Sequence, residues 1–131
     1  MKLLLDTHIW IWSRAEPARL KRRVARALED PSNEIWLSPL SVWELTLLAE
    51  KGRVVSATGV EEWVRIAMEK MPVREAPLTM EVALLTREVR LPHRDPVDVF
   101  LAATARFYDL TLVTADQHLL AGSGFSVLAN R

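Results

Sequence analysis

The sequence predicts an α/β fold built on a parallel central sheet, and three observations carry that prediction. Leu3–Leu5, Ile35–Leu37 and Leu110–Val113 are short apolar runs without alternation, the pattern of strands covered on both faces. Segments of helical length and period separate them, giving the order strand, helix, strand, helices, strand, which right-handed crossovers close into an α/β sandwich. The 131 residues are 50% hydrophobic, enough for one core without a disulfide or structural metal, and residues 1–131 read as a single domain.

The first strand, Leu3–Leu5, stops at Asp6. A helix is expected over Ala18–Glu29, with Leu20, Val24, Ala27 and Leu28 on one face and Arg19, Arg22, Arg23 and Arg26 on the other. From Arg14 to Arg26 six basic residues face one acid, Glu16, which suits phosphate attraction and an ordinary solvated face alike. After the strand Ile35–Leu37, Ser38 can cap and Pro39 open a helix reaching Lys51. Further helices are expected over Val60–Met71, Thr79–Val89 and Pro96–Tyr108, and further strands over Val73–Ala76 and Phe125–Leu128. Trp10, Trp12, Trp36, Trp43 and Trp63 are all expected to pack in the core.

Composition closes several routes. With no cysteine there is no disulfide framework, thiol nucleophile or Cys-based zinc site. Asp6 cuts the N-terminal apolar run far short of a signal peptide, and no apolar stretch suits a membrane span, so a soluble cytoplasmic protein without a membrane partner is expected. The 17 basic and 17 acidic side chains leave no net charge.

Four acids stand out. Asp6 and Asp116 each follow a predicted strand, and the carboxyl ends of parallel strands form the edge where ligands bind in open α/β sheets. Either Asp alone also suits a turn or helix cap. Glu44 is surrounded on its helix by Leu40, Leu47 and Leu48. A carboxylate there must be protonated, paired, exposed at a cleft or bound to a cation. In Asp95-Pro96-Val97-Asp98, Asp95 suits a cap and Asp98 the first turn of a helix that is apolar nearly all round, so that turn should face a cleft. Asp6, Glu44, Asp98 and Asp116 are hard oxygen donors suited to magnesium or manganese, not zinc. His8, His93 and His118 lack the spacing of a zinc motif and are assigned to no metal. A hydrolytic metal site activates water and neutralises charge on a phosphoryl group without a Ser or Cys nucleophile.

Four segments together resemble the PIN-domain ribonucleases, specifically the VapC-like toxins of bacterial and archaeal toxin–antitoxin pairs. They are Leu4-Leu5-Asp6-Thr7-His8, Ser38–Leu45, the DPVDVFLAATA run from Asp95 to Ala105, and Leu112–Asp116, in matching order and spacing over essentially the whole chain. The resemblance implies a three-layer α/β/α sandwich and a metal-dependent endoribonuclease with Mg2+ or Mn2+ as cofactor. By the same resemblance Asp6, Asp98 and Asp116 hold the metal, while Glu44 orients or deprotonates the attacking water. Thr7 and Thr114 position water or metal from adjoining turns, and Asp95 is a cap or a supporting group. RNA as substrate, a cognate antitoxin as partner and a homodimer are likewise implied. Two other readings stay open: a structure-specific DNA nuclease, and a non-catalytic partner-binding module. Haloacid-dehalogenase-type phosphatases fit poorly because their Asp-x-Asp pattern is here Asp6-Thr7-His8, and receiver domains because their paired acids and central Asp are missing.

Overall fold

Helices cover both faces of a five-stranded parallel sheet in the computed structural model, which describes residues 1–52 and 59–131. The strands are β1 (Lys2–Leu5), β2 (Glu34–Leu37), β3 (Arg74–Glu75), β4 (Thr111–Thr114) and β5 (Ser126–Ala129), in the order β3-β2-β1-β4-β5. β1 lies at the centre, with Leu3 and Leu4 beside Ile35 and Trp36 on one side and beside Thr111 and Leu112 on the other. Its leucines are wholly buried, which explains the unbroken apolar run.

Alternation along the strands divides the core into two. Leu3, Leu5, Ile35, Leu37 and Val113 join α1 (Thr7–Ala15), α2 (Arg22–Glu29), α3 (Pro39–Glu50) and α4 (Val60–Lys70) through Ile9, Trp10, Val24, Leu45 and Trp63. Leu4 and Leu112 point the other way, into Val99, Leu101, Ala102 and Ala105 of α6 (Pro96–Phe107) and Leu119 of α7 (Gln117–Leu120). The short α5 (Met80–Leu85) packs on α6. These are the three layers expected. Of the two edge strands, β3 is two residues long and exposed, and its Arg74 and Glu75 discourage pairing with another sheet, while β5 buries Leu128 and exposes Ser126 and Val127.

Four details differ from the expectation. Thr7–Ala15 is helical, although its Thr, Ile and Trp residues have modest helix propensity; burial of Ile9, Trp10 and Ile11 outweighs that bias. The helix expected over Ala18–Glu29 is a 3₁₀ turn at Pro17–Arg19 followed by α2 from Arg22. The break arises because the Asn130 side chain takes the hydrogen-bonding groups on either side of it: Asn130 Nδ2 donates to Arg19 O and Oδ1 accepts from Lys21 N. The expected Thr79–Val89 helix ends at Leu85 and passes into a 3₁₀ turn over Thr86–Glu88. Of the tryptophans, Trp10 and Trp63 are buried and meet edge to face, whereas Trp43 is 52% exposed and does not join the core. No helix among the described residues is long and apolar enough to cross a membrane.

Candidate active site

The strand order reverses at β1: the chain builds outward through β2 and β3, then returns to place β4 against the other side of β1. Such a switch leaves a crevice at the carboxyl ends of the two strands. Asp6 leaves β1 there and Asp116 follows β4, and Asp6 N donates to Val113 O at 2.9 Å, joining the two strand ends directly. α3 brings Glu44 onto Thr7, whose backbone N–H caps Asp6, and α6 brings Asp98 into a cavity that Asp116 also lines.

Asp6 is held on both carboxylate oxygens. Oδ1 accepts from Thr7 N at 2.8 Å, capping α1, and Oδ2 accepts from the Thr114 hydroxyl at 2.7 Å. The same Thr114 oxygen accepts from Asp116 N at 2.9 Å, so one buried hydroxyl joins two of the acids. Asp116 in turn caps α7, its Oδ1 accepting from His118 N and Leu119 N. Asp95 caps α6 through Val97 N and Asp98 N, as its position before Pro96 suggests. Ser38 caps α3 as expected, accepting from Leu40 N.

Glu44 is half-buried, and its Oε1 accepts from the Thr7 hydroxyl, which also lies 3.0 Å from the buried Ser41 Oγ. Sequence reasoning did not single out Ser41. It stands one helical turn before Glu44, which was the available signal. Thr7 and Thr114 are therefore the two hydroxyls that fix the acids, one on Glu44 and one on Asp6.

Burial pushes the Asp6 carboxyl above its usual range, against the hydrogen bonds from Thr114 and Thr7 that pull it back. Glu44 is raised by burial, opposed by the Thr7 hydrogen bond, with the charge on Asp6 adding to the rise. Asp98 is pushed up to about 7, first by burial and then by the negative charges of Asp116, Asp6, Asp95 and Glu44. All four sequence-predicted acids thus share one electrostatic environment. No ion pair formed among the described residues includes Asp6, Glu44 or Asp98.

Partly buried like charges without a basic partner call for a cation. Among the described residues no three acids or imidazoles close together into a ready-made cage. The donor set is all oxygen, consistent with magnesium or manganese.

Two cavities flank the carboxylates. One, of about 350 Å³, is lined by Asp6, His8, Trp12, Arg19, Ala115 and Asp116. The other, of about 490 Å³, is lined by His93, Arg94, Asp95, Asp98, Asp116 and His118, with the two imidazoles 4.4 Å apart. A more apolar cavity of about 450 Å³, beside Pro39, Val42 and Met68, contains none of the four acids. In the polar cleft, cationic and aromatic groups border a negative centre.

The PIN domain family model matches residues 3–122. The chain is 36% identical over 120 residues to Ribonuclease VapC22 of Mycobacterium tuberculosis, covering 89% of this chain and 88% of that protein. Among solved structures, its fold is similar to VapBC2 from Rickettsia felis bound to a promoter DNA fragment, with a TM-score of 0.74 at 16% identity over 98% of each chain. It is also similar to a toxin–antitoxin complex from Klebsiella pneumoniae, with a TM-score of 0.64 at 23% identity over 98% of each chain.

Proposed function

The chain belongs to the PIN-domain family, and from that premise we propose that it is a divalent-metal-dependent endoribonuclease, the toxin of a toxin–antitoxin pair. The observation that carries the reading is the meeting of Asp6, Glu44, Asp98 and Asp116 at the switch of the sheet, with Asp98 pushed up to about 7 partly by the other acids. Caps alone account for Asp6 and Asp116 but leave Glu44 and Asp98 unexplained, and a partner-binding module has no need to gather four like charges.

Asp6, Asp98 and Asp116 would hold magnesium or manganese. Such an ion lowers the pKa of bound water and offsets negative charge on a phosphoryl group. The chain supplies the rest. Thr114 and Thr7 N lock Asp6 in one orientation, so no reorganisation is needed when ligand arrives. Asp116 spends Oδ1 on its cap and keeps Oδ2 for the cleft. Glu44, steadied by Thr7 and with raised proton affinity, orients the attacking water and takes its proton at a carboxylate oxygen. Asp95 supports Asp98 by fixing the first turn of α6.

The same proposal includes an RNA substrate, a cognate antitoxin, a cytoplasmic setting and residues 1–131 acting as one PIN-like domain. It also includes a homodimer, for which Met80 and Leu84, 83% and 62% exposed on α5, supply apolar surface. The decisive experiment incubates purified, antitoxin-free protein with a structured RNA pool in magnesium or manganese, in chelator, and as the Asp98→Asn variant. Cutting that needs metal and disappears in the variant supports the reading. A folded protein that neither binds metal nor cuts RNA refutes it.

A further inference from the structure

We propose that Arg19, backed by Trp12 and bordered by His8, forms a subsite that holds one unpaired nucleotide of the RNA beside the carboxylates. The proposal rests on the ribonuclease reading and assigns to three further residues the task of placing the strand. Trp12 and His8 lie one turn apart on α1, with ring centroids 5.8 Å apart. The Arg19 guanidinium lies over the Trp12 ring, 4.1 Å from its centroid. Together with Asp6, Ala115 and Asp116 they line the 350 Å³ cavity, so whatever fills it lies next to the acids.

The chemistry of this wall fits a nucleotide. A guanidinium plane stacks on a base while its N–H edge pairs with a phosphate, and an indole behind it holds the plane flat. The cluster also places a positive charge beside Asp6 and Asp116, where an incoming phosphate chain meets two carboxylates. Arg19 has a second neighbour, Glu16 at 3.7 Å, but both side chains are more than half exposed and such a pair is easily exchanged. The other arginines of this stretch, Arg22, Arg23 and Arg26, are exposed on α2 and do not line the cavity.

The turn that carries Arg19 is fastened to the catalytic strand end. Asn130, buried at the end of β5, donates from Nδ2 to Arg19 O at 3.1 Å and accepts from Lys21 N at 2.7 Å. Its own backbone N–H donates to Thr114 O at 2.8 Å. Arg19 is thereby tied, through one residue, to the Thr114 that orients Asp6. This bond also broke the expected helix, so the interruption has a use: it turns Arg19 toward the cleft instead of leaving it on the outer face of α2.

The test measures binding of a short fluorescent single-stranded ribo-oligonucleotide of mixed sequence in an Asp98→Asn background, where no cutting intervenes. Arg19→Ala should weaken binding about 5–100-fold and lower the slope of log affinity against log salt by about 0.7. Arg19→Lys should recover the slope but only part of the affinity, because it keeps the charge and loses the plane. Arg65→Ala, remote on α4, should change neither. In the otherwise native enzyme, Arg19→Ala should raise KM with kcat largely kept. Unchanged oligonucleotide binding by Arg19→Ala overturns the subsite, and if antitoxin co-purification is lost instead, the groove is a protein contact. If the native protein cuts RNA while Arg19→Ala is silent, only the subsite falls. If the native protein neither cuts nor binds RNA, the ribonuclease reading falls with it.

Discussion

Replacing Asp98 by asparagine should abolish cutting and at the same time stabilise the metal-free protein. The side chain keeps its shape and loses a charge that the fold holds at a cost. Asp98 has its pKa pushed from 3.8 to about 7 by burial and by four neighbouring acids. That interval corresponds to about 4 kcal/mol if taken whole. Solvent reaches a half-buried carboxyl and screens its neighbours, so about 1–2 kcal/mol is the expected penalty. At low pH the group is neutral in both the folded and unfolded chain and contributes nothing. As pH rises from 3.8 toward about 7 the unfolded chain releases the proton while the folded chain keeps it, so stability falls with pH; beyond about 7 both are ionised and the penalty is complete.

The variant should therefore match the native protein at about pH 4 and exceed it at about pH 8 by that 1–2 kcal/mol. In a chain of this size the difference appears as a melting temperature about 3–10 °C higher. Thermal melts across pH, in chelator, are the assay. Magnesium should then reverse the ranking: at about 100 times its Kd it adds about 2.7 kcal/mol to the protein that binds it and little to the variant. A variant less stable than the native protein at the higher pH, or a difference independent of pH, would refute the claim that Asp98 sits among uncompensated negative charges.

Glu44→Gln should leave the fold intact, since the amide oxygen can still accept from Thr7, yet slow cutting about 10²–10⁴-fold, measured as single-turnover RNA cleavage. Thr114→Val removes the hydroxyl that donates to Asp6 and accepts from Asp116 N. It should cost about 1–3 kcal/mol in denaturant melts, and it should move the acid limb of the activity profile to higher pH, because one of the bonds that lowers the Asp6 pKa is gone. Leu4→Ala, at the wholly buried centre of the sheet, should cost about 2–5 kcal/mol by urea unfolding without altering the metal dependence of cutting.

How much of this was legible in the sequence depended on whether local pattern and tertiary contact agreed. β1, β2 and β4 were legible because both their faces are covered, which forces apolar residues at Leu3–Leu5, Ile35–Leu37 and Leu112–Val113. α3 and α6 announced their starts through Ser38-Pro39 and Asp95-Pro96, where cap and ring fix the first turn whatever the rest of the protein does. α1 was hidden because burial of Ile9, Trp10 and Ile11, not propensity, makes Thr7–Ala15 helical. The break before α2 was hidden for a different reason. Its cause is Asn130, more than a hundred residues away in the chain, and no local pattern carries the position of a partner at that distance.

The acids divide along the same line. Asp6, Asp95 and Asp116 each have a local explanation as a cap, and each is in fact a cap. Local sense and site membership do not compete, because a carboxylate has two oxygens. Asp116 gives Oδ1 to the turn, and Asp6 divides its pair between Thr7 N and the Thr114 hydroxyl. Capping orients the side chain at the N-terminus of a helix, where a negative charge is favoured, so the cap partly offsets the repulsion of gathering like charges. Glu44 and Asp98 cap nothing. They depend on α3 and α6 being carried to the end of the sheet, and in the sequence they are visible only as charges set among Leu40, Leu47 and Leu48 or before Val99 and Phe100. The capping acids are thus the rigid half of the site; burial costs Asp6 as it does the two helix acids, but at Asp6 hydrogen bonds from Thr7 N and Thr114 offset part of that cost. Asp98→Asn should then yield a protein that is more stable and inactive, whereas Asp6→Asn, relieved of a burial cost but losing a charge that Thr7 N and the Thr114 hydroxyl hydrogen-bond, should gain less stability and also lose cutting, a comparison that paired melts and cleavage assays on the two variants will test.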